Sequence, residues 1–224
     1  MSLEEKVNDK QSKSFIKKAG RLAWKLGVAT ATTALRVPLV GTSGILVGGA
    51  FAVGGAIANL ARGKSLYDSV DKALTTYSAV NAIIYPMVAL GNATFPLIAN
   101  DTFLGQAARG LYASTLYNAA FVGSFRAAGH LVDNYLSPVG ITKTVSEGFL
   151  KEWAKIGLLF SPFYALDANG ITKLNLFGAT LPTFAVGALP AGFALDYFFN
   201  KDKPKYRPSY TPSYSPALAG ATAN

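Results

Sequence analysis

Three stretches of this chain carry no formal charge for longer than a helix needs to cross a bilayer. Residues 37–61, 73–100 and 174–195 contain no Asp, Glu, Lys or Arg over 25, 28 and 22 positions. About 20 mostly apolar residues span the hydrocarbon core, and a soluble chain of 224 residues rarely holds three such windows. Only 15% of the chain is charged, against roughly 25% in soluble domains. The pattern predicts an all-α fold, a polytopic integral membrane helical bundle.

A fourth span is expected over about 102–132. Its charge-free part, 110–125, is short, but Arg109 and Arg126 flank it and long basic side chains reach toward the headgroups. The spans are then about 37–61, 73–99, 102–132 and 174–197. Residues 147–166 carry Lys151, Glu152 and Lys155, so this segment is either interfacial or a fifth span. Pro86, Pro96, Pro182 and Pro190 fall inside apolar windows and predict kinks. Read instead as helix ends, they would shorten the second span to about 73–95.

Residues 1–36 form the first unit, a basic amphipathic helix. At 100° per residue, Phe15, Ala19, Leu22 and Leu26 share one face. Lys10, Lys13, Lys17 and Arg21 line the opposite face, with Lys18 beside them and Lys25 at the edge. Such a helix is expected to lie in a membrane interface, with Trp24 at the headgroup level. The early Glu4, Glu5 and Asp9 argue against a secretory signal or a transit peptide. The partners implied are anionic membrane lipids and other membrane-protein subunits, in a hetero- or homo-oligomer. Nucleic acid is not implied, because no aromatic platform interleaves the positive charge.

Through Arg36 the chain has eight Lys/Arg against three acidic residues, a net of +5 out of +9 overall. Four spans would put both termini on one side of the membrane, the more basic side, as the positive-inside rule requires. Which membrane is left open; an organellar inner membrane fits.

The second unit, 37–199, is the transmembrane domain. In its first span Gly44 and Gly48 form a GxxxG pair, and Gly54 and Ala58 extend the spacing; Ala188 and Gly192 repeat it in the last span. Small residues at this interval let helices approach closely in lipid. This glycine-zippered span resembles those of the mitochondrial protein-import channel family and its relatives among respiratory-complex accessory subunits. The resemblance covers the first span only.

Arg126, His130 and Asp133 stand at i, i+4 and i+7 near the end of the third span. Intramembrane ionisable groups are functional candidates by default. This polar face could relay protons or bind an anion in a small channel or transporter; the structural alternative is that the three pair with each other at the interface. Asn81, Asn92 and Asn118 are positioned to bond between helices or to cap kinks. Gly41-Thr42-Ser43-Gly44 resembles the GxSG motif of the intramembrane rhomboid proteases. That resemblance implies Ser43 as nucleophile and His130 as base, but the family's second histidine is absent.

With no cysteine and one histidine, thiolate metal sites and cysteine nucleophiles are excluded. No metal site, cofactor or catalytic residue is predicted. The third unit, 200–224, repeats Tyr206-Arg-Pro-Ser, Tyr210-Thr-Pro-Ser and Tyr214-Ser-Pro-Ala. Such a segment builds no core and favours an extended path, with its tyrosines as contacts. The function expected from these features is a non-catalytic structural or accessory subunit of a larger membrane-protein assembly.

Overall fold

The charge-free windows fold as helices, but the turns between them fall where glycine, proline and hydrogen bonding place them. The computed structural model describes residues 3–40, 43–99, 101–176 and 179–199, and side chains over 12–37, 45–99, 101–166, 169–175 and 179–198. The side chain of Lys10, the surroundings of Gly44, and Tyr206, Tyr210 and Tyr214 lie outside what is described.

Helix α1 runs Leu3–Val40 and α2 runs Ser43–Ala61. Helix α3, Leu66–Thr94, starts on Ser65, whose hydroxyl accepts from the Asp68 amide at 3.0 Å, and ends in a 3-10 turn at Phe95–Leu97. Helix α4, Phe103–Tyr112, is capped by Thr102 and passes through a π turn at Ala113–Tyr117 into α5, Asn118–Asp133. Short α6, Ile141–Ser146, follows a left-handed Gly140 (φ +82°). Helix α7, Phe149–Ala168, leads to an antiparallel hairpin of β1, Lys173–Leu176, and β2, Ala179–Pro182. Helix α8, Thr183–Ala194, closes with a π turn at Leu195–Phe199.

The architecture is thus mostly helical, with one small hairpin. Among the described residues, Leu66–Leu97 is the helix long and apolar enough to cross a membrane, while Ile45–Ala61 and Thr183–Phe198 are apolar but shorter.

Several expected boundaries move. The basic N-terminal helix does not stop at 36. It continues to Val40, and its second half packs lengthwise on α3. The reason is polar: Arg21 and Lys25 meet Asp71 there, and Thr33 and Arg36 meet Tyr77 and Asn81. Residues 174–182 do not belong to the last span, because Lys173–Leu176 and Ala179–Pro182 pair as strands. Pro182 therefore ends a strand at the start of α8 and kinks nothing. Pro86 and Pro190 do sit inside helices, and Pro162 joins them. The segment expected to be interfacial or a fifth span, 147–166, lies largely within α7, whose Ile156, Phe160 and Tyr164 are buried in the core.

Contacts define the ring. Helix α3 packs on α1, α2 and α5; α2 packs on α8; α8 packs on α7; α7 closes back onto α4 and α5. The centre holds Phe51, Val80, Ala113, Val122, Ile156, Phe160, Tyr164, Ala188 and Ala191. Burying each large side chain contributes roughly 1.5–3 kcal/mol in water; in lipid, close packing has to supply the equivalent.

Glycines make the closest contact. A Cβ on Gly54 would overlap the Leu189 carbonyl, and one on Gly192 would overlap the Phe51 carbonyl. Ala58 and Ala188 are completely buried. Gly48 lies instead against α3, where a Cβ would meet Asn81 Oδ1 at 3.1 Å. By contrast a Cβ on Gly49 meets nothing within 4 Å.

This contrast gives a direct test. Gly54→Ala is expected to cost about 1–3 kcal/mol by overpacking against backbone, whereas Gly49→Ala should be neutral or stabilise by up to about 1 kcal/mol. Denaturation of the two variants in detergent, followed by helical circular dichroism, compares them; equal effects would discount the close α2–α8 approach.

Candidate functional site

Helix α1 docks by its charges. Arg21 Nε donates to Asp71 Oδ1 at 2.8 Å, and its Nη2 donates to Asp133 Oδ1 at 3.0 Å. Lys25 Nζ lies 2.7 Å from Asp71 Oδ2 and 2.6 Å from Asp133 Oδ1, and donates to the Asp71 carbonyl at 3.1 Å. Its side chain is only 1% exposed. Thr75 Oγ1 donates to the same Asp133 oxygen at 2.9 Å, and Trp24 Nε1 donates to the Val132 carbonyl at 2.9 Å. Two cations therefore meet two carboxylates from α3 and α5, and the group is nearly neutral.

Farther along α1 the same stripe continues. Ala29 is buried, Thr33 shares a 2.8 Å hydrogen bond with Tyr77, and Arg36 donates to Asn81 Oδ1. These contacts advance together on both helices, so α1 and α3 run in the same direction. The apolar side chains predicted to face the membrane surface do point outward: Phe15 is 73% exposed and Leu26 58%. Among the predicted surface cations, Lys13, Lys17 and Lys18 are exposed, and Lys18 sits 5.2 Å over the Tyr67 ring. Arg21 and Lys25, predicted for the same surface, are turned into the bundle, and Trp24 is half-buried.

Arg126, His130 and Asp133 follow one another on one side of α5 but do not pair with each other. Asp133 belongs to the α1 network. Arg126 pairs with Glu152 of α7 and donates to the carbonyls of Thr144 and Glu147. His130 Nε2 lies 2.9 Å from the Val139 carbonyl, and Nδ1 lies 2.9 Å from Thr144 Oγ1 and 3.3 Å from Asn134 Nδ2. Arg126 and His130 thus hold the 134–148 loop onto the bundle. That loop contains the left-handed Tyr135 and Leu136, for which firm anchoring is needed. The Ser43 side chain lies outside what is described, and both nitrogens of His130 are engaged.

One polar centre escaped the sequence reading. Asp196, 7% exposed, pairs with Lys72, accepts from Asn59 Nδ2 at 3.4 Å, and its carbonyl accepts from Arg62 at 2.5 Å. Its signal was visible as the single acid ending the last apolar window. Asn118 bonds between helices: it donates to the Trp153 carbonyl at 2.9 Å and accepts from Tyr164 at 3.2 Å. Trp153 in turn donates to the Thr115 carbonyl at 2.9 Å, inside the π turn. Asn92 is exposed. Among the described residues no group of three His, Asp or Glu is placed to hold a metal ion.

Comparison with protein-family models, curated proteins and solved structures finds no match for this chain. What it does must therefore be argued from the arrangement itself.

Removing one member of a buried ion pair leaves the other charge uncompensated, at a cost of about 3–5 kcal/mol. Asp71→Asn is expected to approach that loss. Lys17→Ser, on the exposed face, should stay within about 0.5 kcal/mol. Parallel denaturation curves decide; an Asp71→Asn variant as stable as the parent would show that the network holds nothing.

Proposed function

We propose that this chain is an integral membrane protein and a non-catalytic structural or accessory subunit of a larger assembly, binding anionic lipid and neighbouring subunits. The observation that carries this reading is the inverted distribution of side chains on α1. Arg21, Lys25 and Arg36 face inward, while Phe15, Ile16, Leu26 and Leu35 are 58–73% exposed. Water would favour the opposite arrangement. In hydrocarbon, polar groups turn inward to find partners. The same inversion recurs elsewhere: Leu111, Leu116 and Leu158 are each at least 67% exposed.

The distribution of charge along the bundle adds support. Residues before Lys25, the α2–α3 loop with Arg62 and Lys64, and the 134–148 loop with Lys143 gather at one end. Contacts of Asp71, Asp133 and Asp196 tie these segments together. The other end holds the last turn of α1 and the first of α2, residues 95–99 and 101–102, and strands β1 and β2. Its basic residues among those described are Lys173, the buried Arg36, and Arg109, which donates to the Ile98 carbonyl at 2.6 Å. Where the charge-free windows suggest four spans, this reading has six passes: α1, α2, α3, α4–α5, α7 and α8. Both ends of the described chain then share the basic side, the cytoplasmic-type side of the positive-inside rule.

Arg126 and His130 are engaged by the 134–148 loop and Glu152, and Asp133 by α1, which favours a structural role over a conducting face. The exposed Lys13, Lys17 and Lys18 on residues projecting past the bundle suit an anionic surface, each adding roughly 1 kcal/mol.

The chain has no cysteine, so single cysteines report topology cleanly. In sealed vesicles, Lys17→Cys and Lys64→Cys are expected to react with an impermeant maleimide from one side and Lys173→Cys from the other. Labelling of all three from the same side, or release of the protein by alkaline carbonate, would refute the membrane reading. A monodisperse monomer without partners in gentle detergent would refute the assembly.

A further inference from the structure

The Arg36 cluster differs from the ion pairs of the rest of the bundle. Arg21, Lys25, Lys72 and Arg126 each face a carboxylate. Arg36, 1% exposed, faces none among the described residues. Its Nη1 is spent on Asn81 Oδ1. Its Nε and Nη2 have no hydrogen-bond partner among the described residues, and neither do Asn81 Nδ2 and, three residues before it on α3, Ser78 Oγ. Ser78 is completely buried and Asn81 is 3% exposed.

These four unspent groups have a common chemistry. Guanidinium and amide nitrogens only donate, and the serine hydroxyl donates as well. The one amide oxygen present is already taken. The cluster therefore offers one full positive charge and donors, with no carboxylate to answer them. A buried cation and buried donors left this way are each destabilising. The free Nε–Nη2 edge is also the side of the guanidinium that grips two oxygens of one anion. The bond from Nη1 to Asn81 holds that edge in a fixed direction.

Position matters too. Arg36 lies eleven residues beyond Lys25 on α1, about 16 Å deeper along the axis, so the carboxylates of the Lys25 network are out of reach. Helix α1 packs on α3 but touches α2 only lightly, and α2 presents Gly48 to Asn81. The α1–α2 crevice is the side on which least protein has to move.

We propose that Arg36, Ser78 and Asn81 form a binding site for a phosphate-class oxyanion, supplied by a phospholipid headgroup or by free phosphate. Arg36 Nε and Nη2 take two of its oxygens, and Ser78 Oγ and Asn81 Nδ2 donate to the others. The site rests on the cluster, not on the membrane reading, since free phosphate would complete it in either setting.

The test uses the purified full-length chain in an uncharged detergent at constant ionic strength. Thermal unfolding is titrated with inorganic phosphate, phosphatidylglycerol or diacylglycerol, against chloride alone. Saturable stabilisation by phosphate and by phosphatidylglycerol, but not by diacylglycerol, is expected if the free anion suffices. Stabilisation by phosphatidylglycerol alone assigns the headgroup as the source. Arg36→Gln should weaken the response at least about tenfold, since it removes the charge behind both bonds and even one charge-assisted bond is worth that much. If Arg36→Gln does not fold, Ser78→Ala decides: it removes one hydroxyl and should weaken the response several-fold. No stabilisation by either phosphate compound overturns the proposal, and so does a response unchanged in Arg36→Gln or, where that variant fails to fold, in Ser78→Ala.

Discussion

The bundle depends on a four-membered ion cluster, Arg21 and Lys25 of α1 against Asp71 of α3 and Asp133 of α5. Each carboxylate touches both cations. The effective dielectric inside a protein is low, so such contacts are strong when complete and costly when one member is missing. Because α1 is a single helix, fixing Lys25 also fixes the residues one, two and three turns farther along. Ala29, Thr33 and Arg36 are delivered to α3 in register, at Tyr77 and Asn81. The same cluster ties the end of α5 to α1, so the 134–148 loop begins from a fixed point.

A second constraint works at the level of the backbone. Gly54 and Gly192 bring α2 and α8 together where any side chain would overlap a carbonyl. Asp196 then locks the pair to the α2–α3 loop through Lys72, Asn59 and Arg62. Close packing and polar locking are complementary. The first supplies dispersion without direction, and the second supplies direction, because a hydrogen bond or ion pair needs its partner at one place. Helix α7 fills the remaining side of the ring with Phe160 and Tyr164, packed on Phe51, Tyr117 and Phe184.

Much of this was legible in the residues. Charge-free windows located α2, α3 and α8 to within a turn or two at most ends. The small-xxx-small spacing picked out Gly54 and Gly192. The asparagines at 81 and 118 stood out as isolated amides in apolar runs. What the windows hid were the elements that charges interrupt. Helix α1 looked like a surface helix because its period placed lysines opposite leucines, and period alone does not say which face is inside. Glu152 and Lys155 made α7 look interfacial, although Glu152 is turned inward to Arg126.

The chain's sequence by itself determined helical content, the apolar segments and the concentration of positive charge near its ends, because these arise from local composition and spacing. Only the tertiary structure decided which face of α1 is buried and which partners Asp133, Arg126 and His130 have. It also decided that Lys173–Leu176 and Ala179–Pro182 pair as antiparallel strands. The reason is physical. An ionisable side chain inside a bundle goes where a counter-charge or a carbonyl awaits it, and those partners lie 46 to 134 residues away for Lys25 and Arg62. No local pattern encodes that distance.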